Sequence, residues 1–317
     1  MPFTQANKAD LWLVLVTLLA GISWMFSKEA VLLMPPLLFM ALRFSLASML
    51  LALVAHRQLR HLHRQQLWRC VRVGLVFAIA MSCWVMGLAV GSHLGEGAFI
   101  TSLGVVLVPV IARLVFAEAV PASTWVALPI AAGGLALLSL NGGFRTEPGQ
   151  LFFVAAAVIF ALYFNLNTRA ANRGPVRYQG QWTQQEAVPA LVLTTIVLGV
   201  VGLFTGLLSV LLEPWPMAAL QSALPSLIVW VALSAIVGTA LRFLIQTHAQ
   251  SLSLHSHGVV IMVLEPMWTA LFAALWFGET MSGWQTAGCA LIFCSLLVNR
   301  WRALRRLLKG RRSTTGR

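Results

Sequence analysis

Ten long apolar segments follow one another along this chain, and each is about long enough to cross a lipid bilayer. They cover residues 10–27, 36–55, 70–91, 97–116, 122–141, 150–168, 187–212, 224–247, 258–278 and 282–299. A membrane-spanning helix needs ~20 mainly apolar residues. Only 10% of the 317 residues are charged, whereas a soluble domain carries roughly 25%. The pattern predicts an all-helical integral membrane protein with ten transmembrane helices and no separate soluble domain.

The positive charges are distributed unevenly between the two ends of these segments. If the N-terminus lies inside, 17 of the 22 Lys and Arg residues fall on the inner side, and only Lys28 and Arg145 fall on the outer side. Cytoplasmic loops carry such an excess of Lys and Arg. We therefore expect both termini in the cytoplasm, with the basic tail 300–317 near anionic lipid headgroups. This distribution explains the net charge of +13 without nucleic-acid binding.

A short repeat relates the two halves of the chain. Residues 114–118 (LVFAE) match residues 275–279 (LWFGE) at an offset of 161 residues. Because five segments separate the copies, they have opposite orientations in the membrane. Secondary transporters use such inverted repeats, with the binding site near the midplane between them. We predict a first five-helix repeat over 1–143, a second, inverted one over 144–299, and the tail 300–317.

Three charged residues, Arg43, Arg242 and Glu265, lie inside the apolar segments. A charge at membrane depth is costly and usually has a partner or a function. Arg242 and Glu265 are about six and seven residues from the inner ends of their segments. At a rise of 1.5 Å per residue their depths agree within one turn. They can form an ion pair, either as a gate or as a structural link. Arg43 either faces a cavity and attracts an anionic group or extends to the interface.

Glu265 has two further interpretations. A carboxyl group inside a span can carry protons, although a close Arg242 would keep it charged and oppose that role. Alternatively, Glu265 satisfies backbone groups that the following Pro266 leaves free. Glu265 and Arg242 are thus the candidates for coupling or gating.

Aromatic and amide side chains inside the segments complete a candidate substrate cavity. Aromatic walls with a few polar groups suit an organic ligand, and packing or interhelical hydrogen bonding is the alternative role. The candidates are Trp24, Arg43, Trp84, Tyr163, Asn165, Arg242, Glu265 and Trp268. Glycines four residues apart, such as Gly202 and Gly206, predict close helix contacts either within one protomer or between two. A monomer and a homodimer both remain open.

Catalytic signatures do not occur in the sequence. It contains no HExxH, GxSxG or Walker motif, and its one aspartate is Asp10. We expect no catalytic residues, no metal and no cofactor. A polytopic membrane enzyme and a membrane sensor or channel subunit are the alternative classes.

Several motifs together resemble the drug/metabolite transporter superfamily, in its EamA-type ten-span branch. The motifs are Trp24 followed by Lys28, Pro35-Pro36 before Arg43-Phe44, Pro109 before Phe116-Ala117-Glu118, and Leu264-Glu265-Pro266 before Phe277-Gly278-Glu279. Ala117 stands where the family usually has glycine. The resemblance implies alternating-access transport of a small organic molecule, with export of amino acids or related compounds as the common assignment. We expect a bacterial inner-membrane protein with a cavity between segments 1–4 and 6–9.

Overall fold

A computed structural model of the chain describes residues 5–90, 94–139, 148–178, 181–252, 261–277 and 282–299. In this part of the chain there are twelve α-helices, one π-helical segment and one two-stranded hairpin. The helices are α1 (Gln5–Val31), α2 (Pro36–Arg60), α3 (Arg64–Val90), α4 (Leu94–Phe116), α5 (Ala122–Ser139), α6 (Pro148–Ala171), α7 (Ala190–Leu212), α8 (Met217–Ser222), α9 (Leu224–Ala235), α10 (Arg242–Ser251), α11 (Glu265–Phe277) and α12 (Gly283–Asn299).

Each of the ten predicted apolar segments contains a helix. The eighth consists of α9, the π-helical segment Ile236–Leu241 and α10 without interruption, and the ninth begins with a 3₁₀ turn over residues 261–264 before α11. Six helices are long and apolar enough to cross a membrane: Lys8–Val31, Pro36–Arg60, Arg64–Gly87, Gly149–Ala171, Ala190–Leu212 and Leu224–Ser251. Ile100–Phe116, Ala122–Leu137 and Gly283–Asn299 are shorter apolar helices. A helical membrane architecture is therefore confirmed. Within the described residues six helices reach spanning length by this measure, and the number of ten spans stays a prediction.

The connection between α6 and α7 adds a feature that the helical prediction did not include. Strands β1 (Gly174–Tyr178) and β2 (Gln181–Gln185) pair antiparallel, with Gly174 opposite Gln185 and Tyr178 opposite Gln181. Val, Tyr, Trp and Thr in these short stretches favour extended backbone. The loop 169–186 thus contains a small hairpin.

Large apolar side chains cover the outside of the bundle. Leu114 and Leu203 are 78% and 76% exposed, and similar residues occur on most of the helices. A water-soluble monomer rarely shows such continuous apolar surface. The interior holds the largest fully buried side chains, including Phe39, Phe44, Phe77 and Tyr163. This is the arrangement expected when lipid surrounds the bundle.

The helix contacts repeat between the two halves. When the ten segments are numbered in chain order, α2 packs on α7 and α5 packs on α12, so each pair joins equivalent segments. The contact of α3 with α6 has its counterpart in the eighth segment with α1. The contact of α4 with α6 has its counterpart in α11 with α1, and that of α3 with α7 in the eighth segment with α2. Exchanging the halves therefore reproduces the packing.

A face of small residues brings α2 and α7 together. A Cβ atom at Gly202 would lie 2.7 Å from the backbone nitrogen of Ser45, and one at Gly199 would lie 2.8 Å from the Ser48 hydroxyl oxygen. Small residues permit such close approach between helices in a membrane. Gly202 thus serves packing within one protomer, which is the first of the two roles that its spacing predicted.

Glu213, just after α7, caps the start of α2. Its carboxylate accepts hydrogen bonds from the backbone N–H groups of Leu37 (2.7 Å) and Leu38 (2.9 Å). The first N–H groups of a helix have no partner within it, and a negative charge there is favourable. Pro35, the residue before α2, has no side-chain hydrogen bond to offer. The cap therefore comes from the other half of the chain.

The backbone at the end of α4 explains why glycine would be favoured at the position of Ala117. Ala117 has φ 52°, and the N–H of Glu118 donates to the carbonyl of Ala112 (3.0 Å). A left-handed residue directly after the last helical residue is a common helix ending, in which glycine is preferred. Glu118 also pairs with Arg169 of α6 at 3.5 Å. The glycine usual at position 117 thus meets a backbone requirement, and Ala117 adopts the same conformation with strain. Glu279, its partner in the sequence repeat, lies outside the described residues.

Candidate functional site

A cavity of about 330 Å³ lies in the centre of the bundle. Its walls come from α1, α2, α3, α4, α6, α10 and the start of the ninth segment, with Gln285 of α12 at one end. This matches the expected region except at two helices. The described part of α7 contributes no wall residue because it packs behind α2, while α12, expected at the periphery, reaches the cavity through Gln285.

Arg242 and Glu265 form the ion pair that their equal depth made possible. Arg242 Nη2 lies 2.9 Å from Glu265 Oε2, and the side chains are 16% and 21% exposed. The indole N–H of Trp24 donates to the other carboxylate oxygen, Oε1, at 3.2 Å. Both oxygens of Glu265 therefore have a donor. The three residues connect α1 with α10 and α11 across the cavity.

Arg43 is 5% exposed and lies beside the same cavity. Its guanidinium donates to the hydroxyls of Thr239 (2.9 Å), Ser27 (2.9 Å) and Ser23 (3.1 Å) and to the carbonyl of Gly238 (3.4 Å). All four partners are neutral. The Arg43 side chain thus faces the cavity and does not extend to the interface, and its attraction of an anionic group stays a prediction.

The π-helical segment between α9 and α10 supplies two of these partners. A π turn changes the helical hydrogen-bond pattern and is frequent at functional sites. The Thr239 hydroxyl donates to the carbonyl of Ser234, five residues earlier (2.9 Å), and accepts from Arg43. A Cβ atom at Gly238 would lie 2.7 Å from Ser23 Cβ. The absence of a side chain at Gly238 therefore lets α1 and Arg43 approach the turn.

Aromatic rings form the apolar walls. Trp24 and Trp84 meet edge to face with ring centroids 5.1 Å apart. Phe77 stacks on Tyr163 at 4.1 Å and packs against Phe243 at 5.2 Å. Such contacts fix ring positions, so the cavity has a rigid aromatic surface beside its charged groups.

Six of the eight predicted cavity residues line the cavity: Trp24, Arg43, Trp84, Tyr163, Arg242 and Glu265. Asn165 and Trp268 do not. The Asn165 amide is fully buried and donates to the carbonyls of Val108 (3.0 Å) and Ala161 (2.8 Å). Trp268 donates its indole N–H to the Thr17 hydroxyl at 3.1 Å. These two residues link helices, which was the alternative role considered for them.

Sequence reasoning did not identify several polar residues of the cavity, among them Thr101 and Gln246. Gln246 is fully buried, and neither its amide nitrogen nor its oxygen has a hydrogen-bond partner among the described residues. The same holds for Arg242 Nε and for the Thr101 hydroxyl. Gln246 lies one turn after Arg242 on the same face, and this spacing is the signal that would have found it.

A polar cluster closes the bundle between the cavity and the face where α6 and α10 end. The Asn167 amide of α6 donates to the Thr247 hydroxyl (3.2 Å) and to the Gln250 side-chain oxygen of α10. Asn172 donates to the backbone carbonyl of Gln250 (2.8 Å). On the opposite side the walls continue through Trp84 and Gln285 toward the end of α3 and the start of α12. The cavity thus extends toward the face away from this cluster.

Comparison with known proteins decides the family. The sequence model of the EamA-like transporter family matches residues 7–140 and again residues 147–301. The chain belongs to the EamA-like transporter family. This EamA-family chain therefore contains two copies of the repeat, one over each five-helix half, and is a multi-pass membrane protein.

The fold of this EamA-family chain is similar to that of a solved crystal structure. The TM-score is 0.72 over 95% of this chain and 98% of the other, at 19% sequence identity. At this identity the likeness concerns the fold alone. No curated protein matches the chain.

Proposed function

We propose that this EamA-family chain is a secondary transporter that exports a small organic metabolite, an amino acid or related compound, across the bacterial inner membrane. The observation that carries this proposal is the central cavity of about 330 Å³ whose walls come from both halves. A binding site between two inverted repeats is the arrangement that secondary transporters use.

Alternating access is the proposed mechanism, and the contacts between halves indicate what must change. Trp24 bonds to Glu265, Arg43 bonds to Thr239, and Trp268 bonds to Thr17. Each bond joins the first half to the second. Rocking of one half against the other would break these bonds. Opening the polar cluster at Asn167 would in addition require α6 and α10 to separate within the second half. Because exchanging the halves reproduces the helix contacts, two conformations of opposite access can have similar packing.

The proposed topology has ten spans and both termini in the cytoplasm. Its support is the distribution of positive charge, since cytoplasmic loops are the basic ones. The face where α2 and α6 end is then cytoplasmic, and the cavity in this conformation extends toward the outside. The basic tail would lie on anionic lipid, as polybasic segments next to a membrane do.

Transport by the purified chain in proteoliposomes tests the proposal. Loaded vesicles should exchange internal for external labelled metabolite faster than vesicles without protein. The Gly238→Val variant is the negative control and should lose exchange, because the valine side chain would collide with Ser23 beside the cavity. No exchange of any metabolite from a cell extract by well-folded protein would contradict the proposal and favour a sensor or channel subunit. Chemical conversion of a metabolite would instead indicate an enzyme.

A further inference from the structure

We propose that the cavity selects a small monoanionic organic acid: an apolar or aromatic body that carries one carboxylate and no free ammonium group. This inference rests on the proposed transport function and narrows its substrate class. Of the amino acids and related compounds, it selects the deaminated or N-acylated acids and disfavours the zwitterionic amino acids.

The described wall of the cavity carries a net positive charge. The wall contains two cations, Arg43 and Arg242, and one carboxylate, Glu265. Glu265 is engaged by Arg242 at 2.9 Å and by Trp24 at 3.2 Å. Among the residues that the structure describes, Arg43 has only neutral hydroxyl and carbonyl partners. One positive charge is therefore left without a counter-charge in this wall, and a buried charge is stabilised by an opposite charge from a ligand.

The second argument is the set of buried polar atoms without partners. Arg242 Nε and the Gln246 amide nitrogen are donors, and the Thr101 hydroxyl can donate or accept. All three residues line the cavity. A carboxylate has two oxygens with about four acceptor positions and no donor, so it offers these donors the acceptors that they lack. An unsatisfied buried donor costs about 1–3 kcal/mol, which gives a carboxylate ligand an advantage over a neutral one.

An ammonium group finds much less in the same wall. It has three donors. The charge of the strongest acceptor, Glu265, is already paired with Arg242, and with one donor on each oxygen about two of its four acceptor positions remain. Among the buried polar atoms of the described wall, the acceptors without partners are the Gln246 amide oxygen and the Thr101 hydroxyl. The ammonium would also lie near two guanidinium groups of the same sign. For a zwitterion, the unfavourable position of the ammonium group would offset much of the favourable binding free energy of the carboxylate.

The third argument concerns the body of the ligand. The walls include the rings of Trp24, Trp84, Phe77, Tyr163 and Phe243. The volume of about 330 Å³ is at the lower end of the range of roughly 300–1,000 Å³ found for small-molecule sites. A body with one ring or one branched alkyl chain suits this space and these surfaces.

The experiment compares matched probes on the purified, full-length protein in detergent. One set is 3-phenylpropanoate, phenylalanine, 2-phenylethylamine and 3-phenylpropanamide, and the second is 4-methylpentanoate, leucine, isopentylamine and 4-methylpentanamide. A ligand at concentration L that binds the folded state stabilises it by RT ln(1 + L/Kd), so the rise of the thermal unfolding midpoint with ligand concentration gives Kd. In at least one set the acid should bind at least tenfold more tightly than the zwitterion, the amine and the amide. Equal or weaker binding of the acid, or no binding in either set, would overturn the inference.

Variants connect the preference to Arg43. Arg43→Gln should weaken acid binding at least tenfold while changing amide binding by less than threefold. Arg43→Lys, which keeps the charge, should retain the order of the four probes, and Arg113→Gln on the exposed side of α4 is the control of equal charge change. If Arg43→Gln binds the acid as tightly as the unchanged protein, the inference is wrong. If Arg43→Gln does not fold, the result with Arg43→Lys and the comparison of probes still decide.

Transport measurements separate this inference from the proposed function. Tight acid binding without flux in proteoliposomes would contradict the proposed transport function and support the proposed preference of the cavity for acids. Flux with a preference for amino acids or amines would support the proposed transport function and contradict the proposed preference for acids.

Discussion

The indole N–H of Trp24 donates to Glu265 Oε1 at 3.2 Å and joins the first helix of one repeat to the fourth helix of the other. The residues are 241 positions apart in the chain. Arg242 holds the second carboxylate oxygen. Glu265 therefore binds one residue of each half of the chain, Trp24 of the first and Arg242 of the second.

Trp24→Phe removes the donor and keeps an aromatic ring against Trp84. A hydrogen bond to a charged group contributes about 1.5–3 kcal/mol, and the value here should be near the lower limit because the carboxylate is partly exposed. We expect the free energy of unfolding in mixed detergent to fall by about 1.5 kcal/mol. Trp125→Phe, on the outer surface of α5, is the control. An equal change in the two variants would mean that the bond to Glu265 contributes nothing specific.

The ion pair predicts non-additive losses in a double-mutant cycle. Removing one partner of a buried pair costs ~3–5 kcal/mol, and with side chains 16% and 21% exposed we expect less. Arg242→Gln and Glu265→Gln should each lower the free energy of unfolding by about 2–3 kcal/mol. The double variant should lose at least 1 kcal/mol less than the sum, about what coupled residues show. Strictly additive losses would disprove coupling between the two side chains.

Glu265 also gives a prediction for energy coupling. If transport is proton-linked, Glu265→Gln should abolish transport driven by a pH gradient but leave substrate exchange without a gradient largely intact, because exchange needs no net proton movement. Glu186→Gln, with an exposed carboxyl group, is the control in both assays. Concentration of substrate by Glu265→Gln in response to a pH gradient would place the proton carrier elsewhere. Equal loss of both modes would indicate a purely structural ion pair.

Ala117 predicts a stabilising substitution. Left-handed backbone costs an L-residue roughly 1–2 kcal/mol, and glycine avoids this cost. We expect Ala117→Gly to raise the free energy of unfolding by about 1 kcal/mol. Ala290→Gly, at an exposed position inside α12, should lower it by a similar amount because glycine weakens a helix interior. Thermal unfolding of both variants measures this, and destabilisation by Ala117→Gly would show that the alanine methyl group has a packing role.

Topology predictions test the orientation. Reporter fusions after residue 63 and after residue 310 should be cytoplasmic, and one at Gly143 should be external, because 17 of the 22 Lys and Arg residues lie on the expected inner side. Paired reporters that are active on opposite sides of the membrane provide the internal control. An external signal at residue 63 would reverse the orientation and the direction in which the cavity extends.

The depth of a charge in a span could be read from the sequence, but its direction around the helix could not. Arg242 and Glu265 were placed at equal depth, where they could pair, because residue number gives depth at 1.5 Å per residue. Tyr163 and Asn165 were both placed in the cavity, yet two residues differ by about 200° around a helix axis. Tyr163 therefore faces the cavity and Asn165 faces α4.

The partners of Arg43 were beyond prediction for a different reason. They depend on the π turn, which positions the Gly238 carbonyl and the Thr239 hydroxyl, and a single sequence gives no clear signal for such a turn. The cap on α2 could not be predicted because its carboxylate belongs to Glu213, which follows α7 and is far away in the chain. The hairpin after α6 was missed because its apolar residues are few and lie in a polar loop.

The π turn makes the recognition surface depend on a residue count. A π turn contains one residue more than an α turn, and one residue corresponds to about 100° of rotation. Arg242, Phe243 and Gln246 follow the turn directly and line the cavity. Because the π turn takes up its extra residue within a single turn, deleting one residue from Ile236–Leu241 would let an α turn replace it and keep these three residues on the cavity face. The deletion would instead move the Gly238 carbonyl and the Thr239 hydroxyl away from the Arg43 guanidinium. The number of residues in the turn therefore sets the partners of Arg43.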